Sequence, residues 1–218
     1  MKISAIITAG GTSSRFGNTN KLLEKINGKE IIQYTVDAFL DAEIAEIIIC
    51  ANCSIIENLS EMFKNNPNIK IIEGGKTRQE SVYKGLQAAN CDYVLIHDGA
   101  RPMITDEIIK NTIAKVINKK AVSVMTKTVD TIKEVDENGK IIKTIDRSKL
   151  YNTQTPQAFE YNLIKTAHEK LQNKNFTDDA GMIEALGFDV YIVEGDYRNI
   201  KVTTKSDIAL ASNYLNEI

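Results

Sequence analysis

Along most of the chain, short apolar runs rich in β-branched residues alternate with amphipathic stretches. Residues 3–8, 46–51, 69–73, 93–97 and 121–126 form the apolar runs, each bounded by polar or glycine-containing segments, as strands buried on both faces are. Between them, 31–41, 55–65, 81–89 and 106–118 place apolar residues at helical spacing. Two capping-box patterns, Ser54-x-x-Glu57 and Thr77-x-x-Glu80, lie at helix starts, where a hydroxyl and a carboxylate satisfy unpaired N–H groups of the first turn. Strands alternating with helices of this length imply right-handed crossovers and a mostly parallel sheet covered on both faces.

The alternation breaks near residue 127. Runs at 130–135 and 140–145 flank Asp136-Glu137-Asn138-Gly139, and Asn-Gly in that place is a strong hairpin signal. A lone two-stranded ribbon is marginally stable in water, so this one needs a further surface, either its own domain or a second subunit. Helices at 161–174, 180–186 and 206–217 then surround a strand at 190–194. The pattern predicts one Rossmann-like α/β domain over residues 1–218, with a mostly parallel sheet flanked by helices. A β-hairpin arm is inserted in it at 127–147.

Composition removes several classes of protein. With 43% hydrophobic and 26% charged residues the chain can build and solvate a core, which excludes disorder. A net charge of −2 offers no overall field for nucleic acid. The longest uninterrupted apolar run is the five residues from Ile47 to Ala51, far below the ~20 that span a bilayer. The first apolar run meets a glycine loop too soon for a signal peptide, so a cytoplasmic location is expected. Three cysteines, an odd number, suit a reducing compartment. Cys50 and Cys53 form a C-x-x-C with no second pair or histidine for zinc, and Cys50 reads as a buried strand end.

Only five of the 27 basic residues are arginine: Arg15, Arg78, Arg101, Arg147 and Arg198, all in polar, turn-like stretches. Arginine grips phosphate or carboxylate with a planar fork, so this placement fits an anion site as well as ordinary loop polarity. In open α/β sheets ligands bind beyond the carboxyl ends of the strands. The strands of this chain lead into Ala9-Gly10-Gly11-Thr12-Ser13-Ser14-Arg15 with Lys21, then Gly74-Gly75-Lys76-Thr77-Arg78, Asp98-Gly99-Ala100-Arg101 and Lys127-Thr128-Val129-Asp130-Thr131. Glycines, hydroxyls, cations and one acid therefore collect along one edge.

The glycine loop is neither a dinucleotide fingerprint nor a P-loop. Gly10-Gly11 alone fits a tight turn equally well; with Arg15 and Lys21 it becomes an anion cradle. Asp98 is placed to hold Mg²⁺ beside substrate phosphates, or to cap the next turn. His97 reads as a strand-end core residue and His168 as the surface of a helix. No Ser-His-Asp set, glycosidase carboxylate pair or zinc cluster stands out. A reaction between phosphates needs none of these, because a phosphomonoester is already an anionic nucleophile at pH 7.

These motifs resemble the 2-C-methyl-D-erythritol 4-phosphate cytidylyltransferase family nearly end to end. Ala9-Gly10-Gly11-x-x-x-Arg15, Gly74-Gly75-x-x-Arg78-Gln79-x-Ser81-Val82 and His97-Asp98-Gly99-Ala100-Arg101-Pro102 resemble its first three motifs. Asp130-Thr131-Ile132-Lys133, Asp146-Arg147, Gln154-Thr155-Pro156-Gln157, Thr177-Asp178-Asp179-Ala180 and Asn199-Ile200-Lys201-Val202-Thr203 come next, in order.

The resemblance implies a nucleotidyltransferase of non-mevalonate isoprenoid biosynthesis that moves a cytidylyl group from CTP to 2-C-methyl-D-erythritol 4-phosphate, with Mg²⁺ and release of diphosphate. It implies catalytic roles for Arg15, Lys21, Arg147 and Lys201. The nucleotide would fall to Ala9, Gly10, Gly11, Gly75, Arg78, Ser81, Asp98 and Gly99, with Asp98 also at the metal. Arg101, Thr131, Thr155 and Thr177 would hold the sugar phosphate. The hairpin is similar to an arm that embraces a second subunit, so a homodimer is expected, with Thr131 and Arg147 serving the partner's site. Two alternatives on the same scaffold are a ribitol 5-phosphate cytidylyltransferase and an inactive nucleotide-binding module. Ser13 and the Asn20-Lys21-Leu22 run depart from the family pattern, which has glycine and Pro-Lys-Gln there.

Overall fold

The computed structural model describes residues 1–11, 16 and 20–216. In chain order it contains strands β1 (Ile3–Ala9), β2 (Lys25–Ile26) and β3 (Lys29–Glu30), helix α1 (Ile31–Asp41), β4 (Glu46–Ala51), α2 (Ile56–Phe63), β5 (Ile69–Glu73), α3 (Arg78–Ala88) and β6 (Tyr93–Asp98). Beyond β6 come α4 (Asp106–Lys119), β7 (Ala121–Lys127), β8 (Lys133–Val135), β9 (Ile141–Thr144), β10 (Tyr151–Glu160), α5 (Tyr161–Leu171), α6 (Ala180–Ala185), β11 (Tyr191–Glu194) and α7 (Lys205–Leu215). Seven strands form one sheet in the order β11-β7-β10-β6-β1-β4-β5. Every pairing in it is parallel except those of β10, which runs antiparallel to both its neighbours, β6 and β7.

The period-2 geometry of a strand explains why the central runs are apolar throughout. Ala5 and Ile7 of β1, with Ile47 and Ile49 of β4, enter a core beneath α1, α2 and α4. Ile6, Ile48 and Cys50 enter a second core beneath α3, α5 and α6. Both faces are buried, and each fully buried Ile or Leu stabilises the fold by about 1.5–3 kcal/mol. Burial pushes the Cys50 thiol up to about 12, so it packs as a small apolar group.

Several expectations need correction. The Ser54–Glu57 capping box does not form: Asn52 accepts the Ser54 N–H and hydroxyl in a preceding 3-10 turn, and α2 starts later, at Ile56. At Thr77 half of the box forms, with its hydroxyl accepting the Glu80 N–H, but the Glu80 carboxylate takes the N–H of Lys76 instead. Strand β10 was not expected, because Pro156 and the polar residues Gln154, Thr155 and Gln157 argue against a central strand. Those three polar side chains are buried, and each finds a partner inside the protein. His168 is not a surface residue; it is buried on α5, against Asp179.

The arm is a two-stranded ribbon, β8 paired with β9, exposed along both strands. It is shorter than the expected 130–145, and a register shift between Glu134 and Val135 breaks strict alternation. As a result Val135 faces Ile141 and Lys133 faces Thr144. Val135, Ile141 and Ile142 are each more than half exposed.

Candidate active site

The carboxyl ends of β1 and β6 lie side by side, with Thr8 in register with Asp98. A cavity of about 390 Å³ opens above them. Its walls are the β1 loop (Ala9, Gly10, Gly11), the start of α3 (Lys76, Thr77, Arg78, Ser81), Asp98 and Ala100, Lys21, and Lys201 and Thr203. Among the described residues, four cations (Lys21, Lys76, Arg78, Lys201) meet one carboxylate, Asp98, across this space. The N-terminus of α3 adds its positive dipole end, so the cavity is built for an anion.

Asp98 is the centre of the arrangement. Its Oδ1 accepts from the Thr8 hydroxyl at 3.3 Å and from Arg78 Nε at 3.3 Å. Its Oδ2 lies 2.8 Å from Lys201 Nζ and 3.6 Å from Arg101 Nε. Burial alone would raise the Asp98 pKa, but Arg78, Lys201 and Arg101 outweigh it and hold the carboxyl well below its usual range.

Neighbouring loops are stitched together under these side chains. Gly75 N–H donates to Ser81 Oγ, and Gly74 N–H to the Ala51 carbonyl, which ties the glycine pair to α3 and β4. A Cβ at Gly75 would sit 2.2 Å from that of Glu80, so only glycine lets this loop close on the helix. Lys21 Nζ donates to the Val202 carbonyl at 2.8 Å, joining its turn to the Lys201 segment. The Asn20 side chain accepts the Leu22 N–H and so caps that turn without the stiffness of a proline.

Behind the cavity runs a buried relay. Asp98 N–H donates to Thr155 Oγ1, Thr155 Oγ1 lies 3.0 Å from His97 Nδ1, and His97 Nε2 lies 3.3 Å from the Arg101 carbonyl. A neutral imidazole protonated on Nε2 satisfies every link. Burial pushes the His97 pKa down to about 3, so it serves the core, as its position in the sequence suggests.

Of the residues singled out in the sequence, Ala9, Gly10, Gly11, Lys21, Arg78, Ser81, Asp98 and Lys201 line the cavity. Thr155, Gly99 and Arg101 sit behind it: Gly99 packs on Ile32 and Thr8, and Arg101 bonds the Asn199 carbonyl at 2.7 Å. Thr177 is exposed beside Asp178 and Asp179, outside the cavity wall. Thr131 and Arg147 belong to the exposed arm region, where Arg147 Nη1 donates to the Val129 carbonyl. Arg15 lies outside the described residues. Lys76, Thr77 and Thr203, which stand in the quoted loops with no role assigned to them, line the cavity too, and Thr8, at the end of the first apolar run, was not singled out. Arg198 pairs with Asp196 in its own turn and is not among the described residues that line the cavity.

A glycine loop, a helix start and convergent cations at the carboxyl edge of an α/β sheet define a phosphate-handling protein of the nucleotide-binding kind. A family profile described as 2-C-methyl-D-erythritol 4-phosphate cytidylyltransferase (IspD) matches residues 3–217. The enzyme of that name from Caldanaerobacter subterraneus subsp. tengcongensis is 42% identical over 229 residues, covering 100% of both chains. A solved 4-diphosphocytidyl-2C-methyl-D-erythritol synthase from Anaerococcus prevotii superposes with a TM-score of 0.88 at 35% identity, covering 99% of this chain and 96% of that one. The cytidylyltransferase structure from Thermus thermophilus gives 0.82 at 27% identity, covering 99% and 100%. This chain belongs to the 2-C-methyl-D-erythritol 4-phosphate cytidylyltransferase family.

Proposed function

We propose that this protein transfers the cytidylyl group of CTP to the phosphate of 2-C-methyl-D-erythritol 4-phosphate and releases diphosphate. The observation that carries the reading is the cavity itself: four cations against one carboxylate, in a chain of this family. The acceptor phosphate is largely dianionic at pH 7 and needs no general base. One of its oxygens forms a bond to the α-phosphorus of CTP as the bond to the bridging oxygen breaks, and that oxygen leaves with diphosphate. The barrier is the repulsion of two polyanions, which Lys21 and Lys201, with Arg15 and Arg147, lower by neutralising charge and aligning the groups.

Asp98 fits Mg²⁺, which binds through one or two carboxylates plus substrate phosphates, because its carboxyl is held ionised and Lys201 on it is a long, partly exposed side chain. The ion would supply further charge neutralisation on the triphosphate. The backbone of Ala9–Gly11 with Gly75, Ser81 and Arg78 receives cytosine and ribose in this reading, and Gly99, Arg101 and Thr155 hold Asp98 in place.

In the same reading residues 1–218 act as one nucleotidyltransferase domain whose arm, 127–147, joins a homodimer and carries Thr131 and Arg147 to the partner's acceptor, with Thr177 nearby. The exposed apolar residues of the ribbon support this, since they stay uncovered in the single chain. Free Cys50, Cys53 and Cys91 suit a reducing cytoplasm.

The test is diphosphate release from each of the four nucleoside triphosphates with methylerythritol phosphate and Mg²⁺. CTP should be strongly preferred, and chelation of the metal should stop the reaction until Mg²⁺ is restored. Preference for another triphosphate would overturn the assignment of the donor.

A further inference from the structure

The reaction makes no use of the buried His168, yet this ring stands at one end of a chain of polar contacts leading to the cavity. Its Nε2 lies 3.3 Å from Asp179 Oδ1, and its face stacks on Tyr83 of α3 with centroids 6.0 Å apart and planes 7° from parallel. The other oxygen of Asp179, Oδ2, accepts from Arg78 Nη1 at 2.7 Å, and Arg78 lines the cavity. The segment that carries Asp179 is itself anchored. Gln157 Oε1 on β10 accepts the backbone N–H groups of Asp179 and Ala180, while Gln157 Nε2 donates to Asp178 Oδ2 and to Ser123 Oγ on β7.

We propose that Asp179 is a positioning residue for nucleotide binding: with its backbone anchored by Gln157 and its carboxylate lying beside His168, it fixes the Arg78 guanidinium on the wall of the cavity. The inference rests on the reading that Arg78 contacts the nucleotide. Two considerations separate this role from simple structural support. A buried ion pair is a poor source of stability compared with apolar packing of the same volume, so stability alone is a weak account of Asp179. Asp98, the other anion within reach of Arg78, is shared with Lys201 and Arg101. A second carboxylate, paired with no other lysine or arginine among the described residues, holds Arg78 in one orientation when a ligand draws those cations away. A guanidinium recognises its ligand with a rigid fork, so presetting its plane lowers the ordering cost of binding.

The experiment measures CTP affinity by calorimetry without acceptor, and KM and kcat for CTP with it. Asp179→Asn should weaken CTP binding about tenfold or more. His168→Phe keeps the ring on Tyr83 but removes the nitrogen, and should weaken it about threefold. His168→Gln keeps a polar group beside Asp179 and should recover most of that loss. In each case KM for CTP rises while kcat stays within about threefold. In an Arg78→Met background neither substitution should cost anything further. Wild-type affinity in Asp179→Asn and His168→Phe, or full additivity with Arg78→Met, would overturn the proposal. Should Asp179→Asn fail to fold, the two His168 variants decide. A wild-type protein that binds CTP without reacting with methylerythritol phosphate would contradict the reaction assigned above, and the affinity series would still decide the role of Asp179.

Discussion

Lys201 Nζ lies 2.8 Å from Asp98 Oδ2, while Arg78 and Arg101 approach the same carboxylate at 3.3 and 3.6 Å. Three cations thus converge on one buried acid at the floor of the cavity. Arg78 and Arg101 have second partners, Asp179 and the Asn199 carbonyl. Lys201 is the most exposed of the three and lines the cavity, which makes it the cation placed to turn from Asp98 to an incoming phosphate.

Lys201→Met should therefore lower kcat by about 10²-fold or more, the scale for removing a preorganised charge stabiliser. The melting temperature should change little, because Asp98 keeps both guanidinium groups. Near-wild-type turnover in a folded variant would take Lys201 out of the mechanism.

His97 gives the protein a pH signature in stability. Its pKa is pushed down to about 3 by burial, against an unfolded value near 6.5, so between those values the unfolded chain binds the proton and the folded one does not. Stability from this group is complete above pH 6.5 and falls as pH drops, by roughly 2 kcal/mol between pH 6.5 and 5. Carboxylates such as Asp98, whose pKa is depressed, begin to contribute to the loss only below about pH 4. Urea titrations across pH 5–7 should show the slope in the wild type and a flattened one in His97→Gln. Equal slopes in the two proteins would contradict the buried neutral histidine.

Burial decides how much of this was legible in the sequence. The runs that became β1, β4, β6 and β7 are apolar because both faces are covered, and the carboxyl-end loops of β1, β5 and β6 mark the cavity with Gly10, Gly11, Arg78 and Asp98. Strand β10 escaped because its buried side chains are polar: Gln154, Thr155 and Gln157 are satisfied by Asp196, Asp98 and the Asp179 segment, partners distant in sequence. His168 escaped for the same reason, since its partner Asp179 sits on the next segment and its stacking partner Tyr83 on another helix. The register shift in the arm likewise depends on backbone pairing that alternation alone does not specify.

The arm invites a test by complementation. Lys201 lines the cavity and Arg147 stands by the exposed ribbon, so single substitutions at the two places fall in different sites if each site draws on both subunits. After mixing, dissociation and reassociation of Lys201→Met and Arg147→Met proteins, a heterodimer should carry both lesions in one site and none in the other. Activity should return toward half the wild-type level in each heterodimer. No regained activity would show that each site belongs to one chain.

The central claim is transfer of a cytidylyl group to methylerythritol phosphate, and the most direct measurement is phosphorus NMR of the products formed from CTP, Mg²⁺ and each candidate acceptor. With methylerythritol phosphate the account predicts diphosphate and a CDP-alcohol in equal amounts. Ribitol 5-phosphate, whose polyol differs in length and branching, should react at least about tenfold more slowly, the usual scale for such a change in a shaped pocket. Equal or faster turnover of ribitol 5-phosphate, or the absence of a CDP-alcohol with either acceptor, would contradict it.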